Sequence, residues 1–261
     1  GKKNDGANKK ARKMSTTDEE FDIFSRQLIL KEFNESSFIK LQKKKISIVG
    51  IGGIGCPLTQ YLVSTGIKNI NLFDNDIIKK NNLNRQNLYS IKDIGKKKTI
   101  IAKEKLLGIN PNANINSYPE RITEGNINLL RNSSVIIDGS DNWVTMKLIN
   151  NYAVKNNIPL LSASAVGFNI QIILFENNKN KHLCLECIFP NEKEPNLARC
   201  DTVGILGTVA GLAGLISAQK TINFFMKFNN DNNLLTLIDC KELSVINIKI
   251  NEHSNCKLKK N

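Results

Sequence analysis

Short β-branched runs alternate along the chain with longer stretches whose apolar residues recur at helical spacing. Residues 45–50 (Lys-Ile-Ser-Ile-Val-Gly) are such a run closed by glycine, which predicts a buried strand. Residues 56–65 place Leu58, Tyr61 and Leu62 on one side and stop at Gly66, predicting a helix. A strand over 69–74 ending on Asp74 comes next, then a helix over 96–107 closed by Gly108 and Pro111. The alternation continues with a strand at 134–138, a helix at 143–155 and a strand at 158–162. Further strands are predicted at 169–176 and 234–239, with 245–250 alternating as an exposed antiparallel edge. Between them, about 204–228 reads as a long buried helix whose Gly204, Gly207, Gly211 and Gly214 offer a small-residue face for close packing. Strands separated by helices at this spacing imply an α/β fold: a mostly parallel sheet with helices on both faces and a mixed-sheet C-terminal extension.

Composition narrows the class without changing that picture. Of the 261 residues, 41% are hydrophobic and 23% charged, which suits a globule with a sizeable core and excludes a wholly disordered chain. The net charge is +13, but residues 1–13 carry six cations against Asp5 and leave +8 for the remainder. With Met14 following, that opening stretch reads as a detachable basic leader or tail. Lysine is otherwise scattered, with no helix-turn-helix and no RNA-binding aromatic pattern beside it, so nucleic acid is disfavoured. A weakly basic face suits an acidic protein partner or a polyphosphate instead. The longest uncharged run, 202–219, is interrupted by Gly, Thr, Ser and Gln and falls short of a membrane span. Six cysteines without a secretory signal argue against a disulfide framework and for a cytoplasmic setting.

The strongest local signal is Gly50-Ile-Gly52-Gly53-Ile-Gly55-Cys56, lying between a predicted strand and a predicted helix. Glycines there let the backbone turn and approach a phosphate, which a helix N-terminus favours electrostatically. Asp74 stands 24 residues after Gly50, where a carboxylate can accept a ribose hydroxyl. Arg85 and Lys98 then supply two cations, which suit a leaving pyrophosphate better than a dinucleotide bridge. Asp141, in Asp138-Gly-Ser-Asp141-Asn142, can hold Mg²⁺ between phosphates. Taken singly, each has a plainer reading: glycines for helix–strand packing, surface charges, and Asp141 as the N-cap of the helix at Trp143. Their order along one chain points to a nucleotide site.

Gly50–Cys56, Asp74, Asn82-Leu83-Asn84-Arg85-Gln86, Lys98 and Ser140-Asp141-Asn142 resemble the motifs of the E1-like adenylating enzymes, as does Ser25-Arg26-Gln27-Leu28 upstream. That family includes the bacterial proteins that activate the molybdopterin-synthase and thiamine sulfur carriers. The resemblance runs from about residue 20 to 256 and implies a single adenylation domain over 14–261. Its Rossmann-like nucleotide part covers about 40–165, and a carrier-binding and metal part covers about 166–261.

The implied substrates are ATP with Mg²⁺ and the C-terminal glycine carboxylate of a ubiquitin-like sulfur carrier ending in Gly-Gly. By the same resemblance Gly53 allows close backbone approach, Asp74 binds ribose, Arg85 and Lys98 offset phosphate charge, and Asp141 places Mg²⁺. Asn82 and Gln86 donate hydrogen bonds around the transferred group, and Asn81, Leu83, Asn84 and Asn142 join them among the implied nucleotide-binding residues. Arg26 reaches into a neighbouring subunit's site, implying a homodimer, and sulfur comes from a separate donor such as a cysteine desulfurase.

Cys184-Leu-Glu-Cys187 has metal-ligand spacing, and in the family a second such pair near the C-terminus completes a zinc site. Here Cys256 matches the first member of that pair while Lys259 stands in place of the second, so Zn²⁺ would need His182, His253 or water as a fourth ligand. Cys200, beside Arg199, matches the family's cysteine on a crossover loop, which in some relatives forms a covalent link with the carrier. Cys56 and Cys240 read as small buried residues. The alternatives are a tRNA threonylcarbamoyladenosine dehydratase of the same superfamily, an NAD-dependent dehydrogenase, and a non-catalytic scaffold.

Overall fold

The computed structural model describes residues 17–177, 183–190, 203–228, 233–252, 256 and 258. Eight strands form one sheet: β1 (Lys45–Val49), β2 (Asn69–Phe73), β3 (Asn114–Tyr118), β4 (Val135–Asp138), β5 (Leu160–Val166), β6 (Asn169–Phe175), β7 (Leu234–Asp239) and β8 (Ser244–Lys249). Their spatial order is β3-β2-β1-β4-β5-β6-β7-β8. The first five in that order run parallel, and β6, β7 and β8 add antiparallel strands. The expected α/β class and mixed C-terminal extension are both present. β8 forms the expected exposed edge, with Val245, Ile246 and Ile248 open to solvent.

The helices are α1 (Asp18–Leu28), α2 (Glu35–Gln42), α3 (Gly55–Ser64), α4 (Lys98–Ile109), α5 (Trp143–Lys155), the single turn α6 (Leu185–Ile188) and α7 (Gly207–Met226). One core, built around Ile46, Ile48, Leu62, Ile137 and Ile172, packs against α3, α4 and α7. A second, around Ile136, Leu160, Ile173 and Phe175, takes up Ile149 and Ala153 of α5 on the opposite face. No helix among the described residues is long and apolar enough to cross a membrane.

Several expectations are corrected. Helices α1 and α2, which precede β1, were not predicted. Phe24 of α1, Phe38 of α2 and Phe33 of the turn between them form an aromatic cluster, Phe24 and Phe38 with centroids 4.8 Å apart. β3 was also unpredicted, because Asn114-Ile-Asn-Ser-Tyr presents a largely polar edge. It is held by a polar ladder in which Asn116 donates to Asn71 (2.9 Å) and Asn71 to Ser47 (3.4 Å).

In α7 only two of the four glycines serve close packing. A Cβ at Gly207 would strike the Asn84 carbonyl, and one at Gly214 would meet Pro57 Cγ at 2.6 Å. Gly211 faces open space, and Gly204 precedes the helix with φ +82°. Cys56 is fully buried as expected, whereas Cys240 is only half-buried on the turn after β7.

Candidate functional site

A cavity of about 880 Å³ opens at the C-terminal ends of the parallel strands. It lies where β1 pairs with β2 on one side and β4 on the other, the crevice at which open α/β sheets bind ligands. Gly50 (φ +89°) makes the first turn out of β1, and a Cβ there would sit 2.8 Å from the Gly139 carbonyl oxygen. The glycine loop and the turn after β4 thus meet backbone to backbone. A Cβ at Gly53 would fall 2.9 Å from Ala210 Cβ and 3.5 Å from the Arg85 stem, so that residue is held small by α7 and Arg85 together.

Two buried side chains staple this loop. The Tyr89 hydroxyl donates to the Ile51 carbonyl (2.9 Å) and approaches that of Lys98 (3.4 Å), while the Cys56 thiol donates to Ile51 (3.6 Å). Burial pushes the Cys56 thiol up to about 12, which makes it an inert packing group.

Asp74, at the end of β2, is anchored through both oxygens. Oδ2 accepts from the Ile51 N–H (2.8 Å) and Oδ1 from the Asp76 N–H (2.9 Å). Lys98 opens α4 and is 5% exposed, with Nζ 3.0 Å from Asp76 and 4.0 Å from Asp74. Arg85 donates to the Asn81 carbonyl (2.9 Å) and Asn84 Oδ1 (3.0 Å), which fixes its guanidinium at the cavity wall.

The turn after β4 supplies the facing wall. Asp138 is fully buried and its Oδ1 accepts from the Ser140 N–H (3.0 Å); burial lifts its carboxyl to about 6. Asn142, not Asp141, caps α5, since Asn142 Oδ1 accepts from the Thr145 N–H (3.0 Å). The N-cap alternative for Asp141 is therefore replaced: its exposed carboxylate lines the cavity without serving the helix. Six buried side-chain polar atoms among the described residues have no partner, and Gln86 Oε1, Ser140 Oγ and Trp143 Nε1 all belong to cavity-lining residues. Leaving such groups unmet costs about 1–3 kcal/mol each, so half of that cost is concentrated at one site.

The structure brings Gly53, Asp74, Arg85, Gln86, Lys98, Asp141 and Asn142 together on this cavity. Asn81, Asn82, Leu83 and Asn84 do not line it. Asn82 is buried in the turn behind, where Oδ1 accepts from the Lys79 N–H (3.1 Å), Asn81 and Asn84 brace Arg85, and Leu83 packs on the core. Arg26 is exposed on α1, away from the cavity of its own chain. Sequence reasoning missed Asp76, whose spacing two after Asp74 was the available signal, and Tyr89 and Trp143, which carried none.

Cys184, Cys187 and Cys256 converge, with Sγ separations of 4.0 Å (184–187) and 3.5 Å (184–256). Four thiolates or imidazoles around zinc at a Zn–S length of about 2.3 Å place sulfurs about 3.8 Å apart, so the three thiols fit that ion. Cys200, Arg199, His182, His253 and Lys259 lie outside the described residues.

The sequence model of the ThiF family matches residues 24–258. The chain is 33% identical over 237 residues to an adenylyltransferase and sulfurtransferase MOCS3 of Drosophila virilis, a match covering 89% of this chain and 52% of that protein. It thus spans about half the length of that relative. Identity to the sulfur carrier protein ThiS adenylyltransferase of Escherichia coli is 30% over 240 residues, covering 92% and 95% of the two chains. Among solved structures, E. coli MccB with AMPCPP and MccA superposes with a TM-score of 0.79 at 24% identity, covering 94% of this chain and 74% of that one.

Proposed function

Because the chain belongs to the ThiF family, we propose that it is an ATP-dependent adenylyltransferase whose second substrate is the C-terminal glycine carboxylate of a ubiquitin-like sulfur carrier. The observation that carries this reading is the single cavity in which Arg85, Lys98, Asp74 and Asp141 meet around a glycine loop, among buried polar atoms that lack partners. A carboxylate oxygen of the carrier attacks the α-phosphorus of ATP, the bond to the bridging oxygen breaks, and pyrophosphate leaves. The attacking acid is already ionised at neutral pH, so the protein needs no general base. Its contribution is alignment and charge stabilisation.

Asp74, clamped by two backbone N–H groups, keeps lone pairs for the ribose hydroxyls. Arg85 and Lys98 stabilise the charge that builds on the departing phosphates; Lys98 exchanges its Asp76 partner for a phosphate oxygen. Asp141 would hold Mg²⁺, which supplies further charge neutralisation on the phosphates. Cys184, Cys187 and Cys256 would hold Zn²⁺ in a structural role, with the fourth ligand supplied from elsewhere. Arg26, exposed on α1, would serve a second copy of the chain in a homodimer, and sulfur would be supplied by a separate donor such as a cysteine desulfurase.

ATP–pyrophosphate exchange tests the reading. Exchange that depends on a carrier ending in Gly-Gly supports it. Tight binding of a nicotinamide dinucleotide with no exchange in the presence of any such carrier overturns it.

A further inference from the structure

The Lys98–Asp76 ion pair is lopsided. Its lysine side chain is 6% exposed and its aspartate side chain 56%, with Nζ donating to Oδ2 at 3.0 Å. Asp74, the other carboxylate near Nζ, stands 4.0 Å off, and each of its oxygens already accepts a backbone N–H. Asp76 is therefore the close counter-ion of a buried cation, and an ammonium buried without one is costly. Arg85 differs, since its guanidinium donates to a carbonyl and an amide oxygen, both neutral. Of the two cations assigned to the phosphates, Lys98 is the one that reaches its ligand by leaving a charged partner.

The carboxylate is not what holds Lys98 in place. Residues 75–78 and 95–98 are zipped together by main-chain bonds: Gly95 N–H donates to the Ile78 carbonyl (2.8 Å), Ile78 N–H to Lys96 (2.9 Å) and Lys98 N–H to Asp76 (3.2 Å). Ile77 and Lys97 pair as an antiparallel bridge, and Lys97 Nζ adds a bond to the Asn75 carbonyl (2.8 Å). The start of α4 is thus fixed by backbone atoms. That leaves the Asp76 side chain, which lines the cavity, to act through its charge.

We infer that Asp76 competes with the nucleotide's phosphates for Lys98 and reclaims it as pyrophosphate departs, so that it weakens phosphate binding and speeds release. One ammonium can serve both acceptors only by bringing a carboxylate against a phosphate, and like charges at that range repel. The exposed partner is the one that can turn out to water. Asp76 acts through Lys98 and is a positioning residue. The inference rests on the adenylyltransferase reading above, which gives Lys98 its phosphate.

Asp76→Asn keeps the shape and an oxygen for Nζ but drops the charge. In calorimetric titrations of the full chain with no carrier present, the variant should bind pyrophosphate and ATP, each with Mg²⁺, about fivefold more tightly than the wild type. The gain should shrink as salt is raised. Loss of a merely structural contact would weaken both ligands instead, and Asp76→Glu, which restores the charge, should return the affinities towards those of the wild type. Asp76→Ser, which also keeps the backbone clamp, carries the same test should the Asn variant fail to fold. Pyrophosphate bound no more tightly by the variant, alongside a wild type that performs carrier-dependent exchange, overturns the inference and leaves the parent reading intact. A wild type that neither binds ATP nor performs exchange overturns both.

Discussion

Asp74 carries two duties that one isosteric change can separate. Its Oδ2 and Oδ1 each accept one backbone N–H, from Ile51 at 2.8 Å and Asp76 at 2.9 Å, and its side chain is 10% exposed. Asp74→Asn keeps the shape but leaves one acceptor oxygen, so an amide NH₂ must face one of the two N–H donors. A hydrogen bond to a charged group is worth about 1.5–3 kcal/mol, and the loss of one sets the expected destabilisation near 2 kcal/mol. For a domain of this size that lowers Tm by about 4–8 °C. Because Asp76 positions Lys98, loosening the Asp74–Asp76 turn also disturbs the nearest cation. Differential scanning calorimetry reads the first effect, and calorimetric titration with ATP reads the second as an affinity loss of about tenfold or more. An Asn variant that melts with the wild type refutes the anchoring role; one that melts early but binds ATP normally refutes the ribose role.

Arg85→Ala should abolish carrier-dependent exchange while leaving the Tm unchanged, since the guanidinium bonds only to its own turn at the cavity wall; near-normal exchange would remove Arg85 from phosphate binding. Metal analysis of protein purified without chelators should find about one zinc per chain, and Cys184→Ser should lose it; a metal-free wild type would show the three thiols to be packing groups. Burial raises the Asp138 carboxyl to about 6 from its ordinary 3.8, so between those values the folded state binds more protons than the unfolded chain. Stability is therefore greatest below the lower value and declines as pH rises through the window. Asp138→Asn, which still accepts from the Ser140 N–H, should flatten that decline in Tm against pH.

Much of the fold was legible because the central strands announce themselves. Ile46, Ile48 and Val49 in β1 and Val135–Ile137 in β4 are buried on both faces and read as continuous β-branched runs. β3 was not legible, since its Asn114, Asn116 and Ser117 look like loop residues until Asn71 and Thr99 are placed opposite them. Helices α1 and α2 escaped for a related reason: Phe24 and Phe38 pair across the two helices, with Phe33 of the turn between them, in space rather than by period along either.

At the site, the order of Gly50–Cys56, Asp74, Arg85, Lys98 and Asp141 pointed to one cavity. Adjacent residues of equal capping ability, Asp141 and Asn142, were separable only by the bond to Thr145. Asp76 was signalled by its place two residues after Asp74, but its salt bridge to Lys98 shows only in three dimensions.

The meeting of Cys184 with Cys256, 72 positions apart in sequence, closes a ring that contains α7, β7 and β8. A Zn²⁺ ion held at that junction would tie the outermost antiparallel strands to the α5 side of the molecule, through Val154, which packs on the same thiols. Closing a ring of that length strips the unfolded chain of entropy worth about 4 kcal/mol at room temperature. With Zn²⁺ bound, the open edge at β8 would be steadied by a junction formed at its far end, and loss of the ion would let the sheet fray inward from that edge.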